Sequence, residues 1–313
     1  MTSGGDAPGM NAAIRSAVRY AIHNKLEVVG IIRGYAGLIC GELEQLNHRS
    51  VSNIINRGGT VLKTVRCDEF LTEAGQRKAA EVIKKNKIDA LILIGGNGTY
   101  QGGIVLEKKW SIPCVGIPGT IDNDINGTDS TIGADTAVNT ALDAIDKIRD
   151  TATSMERIFV VEVMGRDCGF IALQVALGGG AEDALIPERK FSIQDMCADI
   201  IEGNRRGKIS WIIIVAEGAT KAEEIVRKIT QITSLETRVV VLGHIQRGGI
   251  PTAKDRILAT RLGAAAIDVL LRGERAKAVG VISDDIKIAD LEFAISKKEL
   301  LVDNFYKLIK ILT

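Results

Sequence analysis

The sequence is short of several things, and each shortage argues against a class of protein. Cysteine occurs five times in 313 residues (Cys40, Cys67, Cys114, Cys168, Cys197), an odd and scattered set without a C-x-x-C spacing. That speaks against a disulfide framework and suits reduced thiols in a cytosolic protein, most of them packing groups. The three histidines lie far apart with no H-E-x-x-H run, so a zinc site is not expected. Neither charge sign is in surplus: 40 Lys and Arg against 39 Asp and Glu leave a formal net charge of +1. Nothing electrostatic therefore points to nucleic acid or membrane as a partner, although local arginines can still serve an acidic substrate. No apolar run reaches the length of a membrane span. Met1-Thr2-Ser3-Gly4-Gly5-Asp6 has neither the basic nor the apolar region of a secretory leader, so a cytoplasmic protein is expected. Low-complexity tracts, fixed-period repeats and Pro/Gly/Ser-rich linkers are also missing.

What is present describes a folded chain, 46% hydrophobic and 25% charged, long enough for two ordinary domains or one large one. Short apolar runs recur and end at glycine or polar turns: Val28 to Ile32, Ala90 to Ile94, Cys114 to Ile117, Ile158 to Val163, Trp211 to Ala216 and Val239 to Leu242. Runs without alternation suggest strands covered on both faces, the habit of parallel sheets. Helical stretches lie between them, as at Asp135 to Arg149, where Ala137, Ala141, Ala144, Ile145 and Ile148 share a face. Strand alternating with helix predicts a doubly wound α/β fold with mainly parallel sheets. The lysine clusters at Lys84, Lys85, Lys87 and at Lys108, Lys109 read as solvated helix ends.

Ligands of open α/β sheets sit beyond the carboxyl ends of the strands, and the glycine turns fall there. Gly95-Gly96-Asn97-Gly98-Thr99 follows a strand run and precedes a predicted helix, where a glycine backbone and a helix N-terminus can receive phosphate. A tight strand-to-helix turn would use the same residues. Gly4 to Asn11 is a second glycine turn entering a helix, and two such loops favour a nucleotide site. The third element is Pro118-Gly119-Thr120-Ile121-Asp122-Asn123-Asp124. In an extended segment Thr120, Asp122 and Asp124 point to one side, and a Mg²⁺-nucleotide would offset the repulsion between the two carboxylates. One aspartate can then deprotonate an attacking hydroxyl while the other supports the metal. A polar loop with Asx turns would suit the same residues. Arg157, Arg166, Arg238 and Arg247 lie beside strand runs and offer the bidentate donors that a sugar phosphate needs.

Taken together, four motifs resemble bacterial ATP-dependent 6-phosphofructokinases: Gly-Gly-Asp-Ala-Pro-Gly-Met-Asn at 4–11, Pro-Gly-Thr-Ile-Asp-Asn-Asp at 118–124, Val-Glu-Val-Met-Gly-Arg at 161–166 and Leu-Gly-His-Ile-Gln-Arg-Gly-Gly at 242–249. The resemblance runs in register over nearly the whole chain. It implies transfer of the ATP γ-phosphoryl group to the 1-hydroxyl of fructose 6-phosphate, with Mg²⁺, in a homotetramer. It implies a larger nucleotide-binding domain of residues 1–133 with 246–295 and a smaller sugar-phosphate domain of 134–245 with 296–313. Asp122 takes the role of catalytic base, Asp124 and Asn97 that of metal ligands. Thr120 holds the transferring phosphoryl group and substrate, and Arg166 stabilises developing charge. Gly5, Arg66, Cys67, Gly96, Asn97, Gly98 and Thr99 correspond to ATP contacts. Thr120, Ile121, Asp122, Met164, Gly165, Arg166, Glu217, His244, Ile245, Gln246 and Arg247 correspond to fructose 6-phosphate contacts. Arg157 and Arg238 correspond to arginines that reach a neighbouring subunit's sugar. A nucleotide effector site is implied at Arg15, Ser16, Ala17, Val18, Arg19, Arg149, Gly180, Ala181, Glu182, Arg206, Lys208, Ile209 and Ser210.

The sequence departs from that family in three places. His48-Arg49 replaces an arginine-aromatic pair at the effector site. The second glycine loop carries Asn97 where the family has an aspartate that binds Mg²⁺, and an amide oxygen is the weaker ligand. A short apolar strand normally precedes Thr2; its absence leads to the expectation that the natural start lies about six residues earlier, or that this is a truncated copy. Diacylglycerol and NAD kinases share the glycine loop but lack the other motifs. A paralogue that binds sugar phosphate or nucleotide with weakened catalysis is the remaining alternative.

Overall fold

A computed structural model describes residues 1–312. In chain order the elements are α1 (Met10–His23), β1 (Val28–Ile31), α2 (Gly34–Cys40), β2 (Leu43–Leu46), α3 (Glu73–Lys85), β3 (Leu91–Gly95), α4 (Asn97–Trp110), β4 (Cys114–Pro118), α5 (Ala134–Met155) and β5 (Ile158–Val163). There follow α6 (Phe170–Gly178), β6 (Asp183–Leu185), α7 (Ile193–Arg205), β7 (Trp211–Ala216), α8 (Ala222–Thr233), β8 (Thr237–Val241), α9 (Ala253–Leu271), β9 (Lys277–Ile282), β10 (Asp285–Asp290), α10 (Leu291–Ala294) and α11 (Val302–Leu312). They divide into two units, Met1–Thr136 with Arg247–Lys298, and Ala137–Gln246 with Glu299–Thr313. Among the described residues no helix is long and apolar enough to cross a membrane.

In the first unit the sheet runs β10-β9-β4-β3, parallel except for β10. Leu91, Leu93 and Cys114 from its strands pack with Ile104, Leu106 and Leu291 into a core. Burial pushes the Cys114 thiol up to about 12, so it stays a protonated packing group. Helix starts are set locally. Thr72 caps α3 by accepting from Gly75 N at 3.1 Å, and Thr252 caps α9 by accepting from Asp255 N at 3.3 Å. The expected run at Val28 folds as β1, but it pairs antiparallel with β2 in a separate two-stranded ribbon. Between that ribbon and β3 lies a hollow of about 510 Å³, lined by Met1, Val28, Ile31, Ile92 and Ile94 and by charged residues such as Lys25, Glu27 and Asp89. Residues 1–3 run parallel to the end of β3 as a strand stub. Met1 N donates to Ile92 O at 2.8 Å, Ile94 N to Met1 O at 2.9 Å and Ser3 N to Ile94 O at 3.1 Å. Buried there, the Met1 ammonium is pushed down to about 5.

The sheet of the second unit, β6-β7-β5-β8, is parallel throughout. Every residue of β5 is buried, as its unalternating Ile/Val pattern predicts. Its one charged residue, Glu162, accepts from Ala222 N at 2.9 Å and pairs with Lys221 at 3.0 Å, which secures the start of α8. The run at Val239 corrects the expectation of two covered faces. It lies in the edge strand β8, and Val239 and Val241 are 40% and 51% exposed. A run of valines gives β-propensity but does not say how many faces are covered.

Candidate functional site

The first unit gathers both glycine loops and the carboxylate loop at the carboxyl ends of adjacent strands. β3 ends at Gly95 and α4 begins at Asn97. A Cβ on Gly95 would lie 2.2 Å from Thr99 Oγ1 and 2.6 Å from Ser3 O, so only glycine lets the two loops approach this closely. Thr99 Oγ1 donates to Ser3 O at 2.9 Å, and Thr64 Oγ1 donates to Gly4 O at 2.6 Å. Gly5 and Gly98 are exposed, while Gly96 and Asn97 are half-buried. Arg66 is exposed and Cys67 half-buried in the irregular segment before α3. Arg247 Nη1 donates to Asp6 O at 3.1 Å, so its guanidinium stands over the first glycine loop.

β4 ends at Pro118, and Gly119 N donates to Gly95 O at 3.0 Å, which sets the carboxylate loop beside the second glycine loop. The loop is not extended as expected. Asn123 has φ +52°, a left-handed conformation that breaks the alternation and that asparagine tolerates. Asp122 is 3% exposed and Asp124 half-buried. Thr120 Oγ1 accepts from Asp122 N at 3.2 Å, and Ile121 is fully buried. Asn97 Nδ2 donates to Asp124 Oδ2 at 2.7 Å, while Asn97 Oδ1 is buried with no hydrogen-bond partner among the described residues. An orphaned oxygen next to a carboxylate fits a hard cation. Among the described residues no group of three or more His, Cys, Asp or Glu could hold a metal, so much of its coordination would have to come from phosphate and water.

In the second unit Met164, Gly165 and Arg166 follow β5. Gly165 has φ +141°, and its N and Arg166 N donate to Glu217 Oε1 at 3.3 and 3.0 Å. Gln246 is fully buried and accepts from Met164 N at 2.8 Å. Glu217 and Gln246 thus shape the turn that presents Arg166, and His244 and Ile245 are exposed in the short turn Gly243–Arg247. Arg157 and Arg238 share one partner that the sequence reading passed over, Glu236. Arg157 Nε lies 2.9 Å from its Oε2, and Arg238 Nη2 donates to its Oε1. Those guanidinium groups, Arg157 first, hold the Glu236 carboxyl below the usual carboxylate range.

The implied effector residues are divided between the two units. In the second unit Arg149 Nη2 donates to Gly179 O and Gly180 O at 2.5 and 2.6 Å, and Lys208 pairs with buried Glu182 at 3.0 Å. Ala181 is buried beside them; Arg206 is engaged with Glu202 at 2.9 Å, and Ile209 is 41% exposed. Glu182 Oε2 also accepts from Ile212 N at 2.6 Å, just past Ser210. On α1, Arg15 and Arg19 are half-exposed, whereas Ser16, Ala17 and Val18 are buried. Ser16 Oγ donates to Thr260 O of α9 at 2.6 Å.

A mainly parallel α/β sheet with glycine turns and a carboxylate loop at its strand ends defines the class as ligand-binding doubly wound proteins. Comparison with known proteins narrows it. The family model described as phosphofructokinase matches residues 1–270, and the chain belongs to that family. It is 50% identical over 313 residues to the ATP-dependent 6-phosphofructokinase of Clostridium novyi, covering 100% of this chain and 98% of that one. It is 53% identical over 310 residues to the enzyme of the same name from Bacillus cytotoxicus, covering 99% and 97%. The solved phosphofructokinase of Pichia pastoris in the T-state superimposes with a TM-score of 0.90 at 36% identity, covering 94% of this chain and 35% of the larger one.

Proposed function

We propose that this chain transfers the γ-phosphoryl group of ATP to the 1-hydroxyl of fructose 6-phosphate, giving fructose 1,6-bisphosphate and ADP. The observation that carries the reading is the junction of glycine loop and carboxylate loop through Asn97 and Asp124. Gly5 and Gly96 to Thr99 take the nucleotide phosphates on backbone amides, helped by the N-terminus of α4. Asp122 accepts the proton of the sugar hydroxyl as it attacks. Asp124, with the Asn97 oxygen, would hold Mg²⁺, which when bound neutralises charge on the phosphates. Arg166, held by Glu217, and Arg247 with His244 bind the sugar phosphate, and Arg166 also meets charge that develops in the transition state. The protein works as a cytoplasmic homotetramer in which Arg157 and Arg238 serve a neighbour's sugar, and Arg149, Gly180, Glu182 and Lys208 belong to a nucleotide effector site.

ATP is the donor in this reading. A Cβ at Gly98 meets nothing within 4 Å, so the loop has room for a nucleotide α-phosphate that an aspartate would crowd and repel. A coupled assay for fructose 1,6-bisphosphate, run with ATP and with pyrophosphate at matched Mg²⁺, tests it. Turnover with ATP is expected. Faster turnover with pyrophosphate, or no product with either, would overturn the reading.

A further inference from the structure

The proposed chemistry needs Asp122 and Asp124 in a fixed relation, and the residue between them is the means. Asn123 is 2% exposed and left-handed. Its Nδ2 donates to Asp129 O at 3.1 Å, and its Oδ1 accepts from Thr131 N at 3.0 Å. Thr131 Oγ1 closes a ring of bonds by donating to Thr120 O at 2.6 Å. Into this ring reaches a cation from far along the chain. Lys298 Nζ donates to Asn123 O at 3.0 Å and to Thr128 O at 2.8 Å, with Asn123 Oδ1 at 3.4 Å.

Lys298 belongs to none of the sequence motifs. It sits in Lys297-Lys298 after α10, where a pair of lysines reads as solvated charge. An ammonium spread over carbonyl oxygens has given up water, and that desolvation is tolerated only where the bonds gained compensate for it.

We propose that Lys298 is a positioning residue for phosphoryl transfer, its ammonium fixing the Asn123 peptide and through it the directions of Asp122 and Asp124. The peptide plane is rigid, so holding Asn123 O fixes where the chain enters Asp124. The Asn123 side chain fixes the other end of the same turn. Charge-assisted bonds of this kind are about twice as strong as neutral ones, enough to favour one loop conformation over its neighbours. A displacement of about 1 Å at a reacting group lowers the rate by about 10²-fold.

The inference rests on the reading of Asp122 as the base, so Asp122→Asn is measured beside Lys298→Met and Lys298→Arg. In Lys298→Met, kcat is expected to fall about 10- to 100-fold while KM for ATP and for fructose 6-phosphate each stay within about threefold. Lys298→Arg, which keeps the charge and the donors, is expected to recover most of the loss. Amide exchange should quicken at residues 123–131 in Lys298→Met and stay unchanged in β3 and β4. If Lys298→Met does not fold, Lys298→Gln is read against the same limits. A folded neutral variant with kcat within about twofold of the unaltered protein, or an arginine variant no better than the neutral one, overturns the role of Lys298 while the base stands. An Asp122→Asn protein with unaltered kcat overturns both.

Discussion

The carboxylate loop of the first unit and the paired arginines of the second are held in opposite ways. Around Asp122 the contacts are mostly buried and largely to backbone: Thr120 Oγ1, Thr131 Oγ1, the Asn123 amide and Lys298 each settle a carbonyl or an N–H. Arg157 and Arg238 rest instead on one carboxylate, Glu236, whose side chain is 48% exposed. Buried bonds of the first kind are costly to break singly, because each leaves a polar group unsatisfied. Pairs on a half-exposed carboxylate are worth less and exchange more readily for another anion, although Arg157 itself is only 21% exposed. On the function proposed above, the groups that react are held rigidly, and the groups that bind phosphate rest on a partner that phosphate can displace.

The largest effect expected is at the rigid end. Asp122→Asn keeps the shape and removes the base, so kcat should fall by about 10²–10⁴. KM for fructose 6-phosphate should hardly change, since the lost interaction belongs to the transition state. Steady-state kinetics decide it, and a near-normal kcat would break the comparison at its root.

The second effect concerns another buried charge of the first unit. The Met1 ammonium stands at about 5 in the folded chain against an ordinary 8.0. Between those values the unfolded chain binds a proton that the folded one does not, so stability should rise with pH from about 5 to 8 and level off above. The change is on the order of a few kcal/mol. In a preparation starting at Met1, melting points measured across that range should show the rise, and acetylating the amine should flatten it. Melting points that do not change over that range would show that the Met1 amine is solvated in the folded chain.

The α/β class was legible in the sequence because buried parallel strands leave unalternating apolar runs, as β3, β4, β5 and β7 do. Coverage and pairing were less legible. Nothing in Val28 to Ile31 distinguishes a ribbon from a sheet strand, and the valines of β8 read as interior although they face outward. The glycine and carboxylate loops were visible as motifs because their residues are contiguous. Their surroundings were not, since Lys298 holds the carboxylate loop and Asp255 the nearby start of α5 from far along the chain. Asp255 is the clearest example: it accepts from Gly133 N at 2.9 Å and from Thr136 N at 2.8 Å, anchoring the start of α5. Its carboxyl is raised by burial, an environment that no local pattern announces.

A third test adds a charge to the rigid region. Asn97→Asp places a second carboxylate where Nδ2 now donates to Asp124 at 2.7 Å. Without Mg²⁺ the like charges repel, and the melting point should fall by several degrees. With Mg²⁺ the loss should be recovered, and the Mg²⁺ requirement for turnover should drop. Melting in chelator and in excess Mg²⁺ measures both. A variant indifferent to the metal would remove Asn97 from the cation's neighbourhood.

The smallest effect lies at the exposed end. Glu236→Gln removes the carboxylate shared by Arg157 and Arg238 and leaves an amide of the same shape. An exposed pair contributes little, so the melting point should stay within a degree or two. Binding should move instead, because on the proposed function an incoming phosphate must displace Glu236 before it gains the guanidinium groups. With the competitor gone, KM for fructose 6-phosphate should fall by about fivefold or less, kcat holding steady. The shift should shrink as salt is added, since screening already weakens the pair. A KM that rises would mean that Glu236 aims the two arginines and does not merely occupy them, and the contrast between rigid and displaceable holding would then fail at this site.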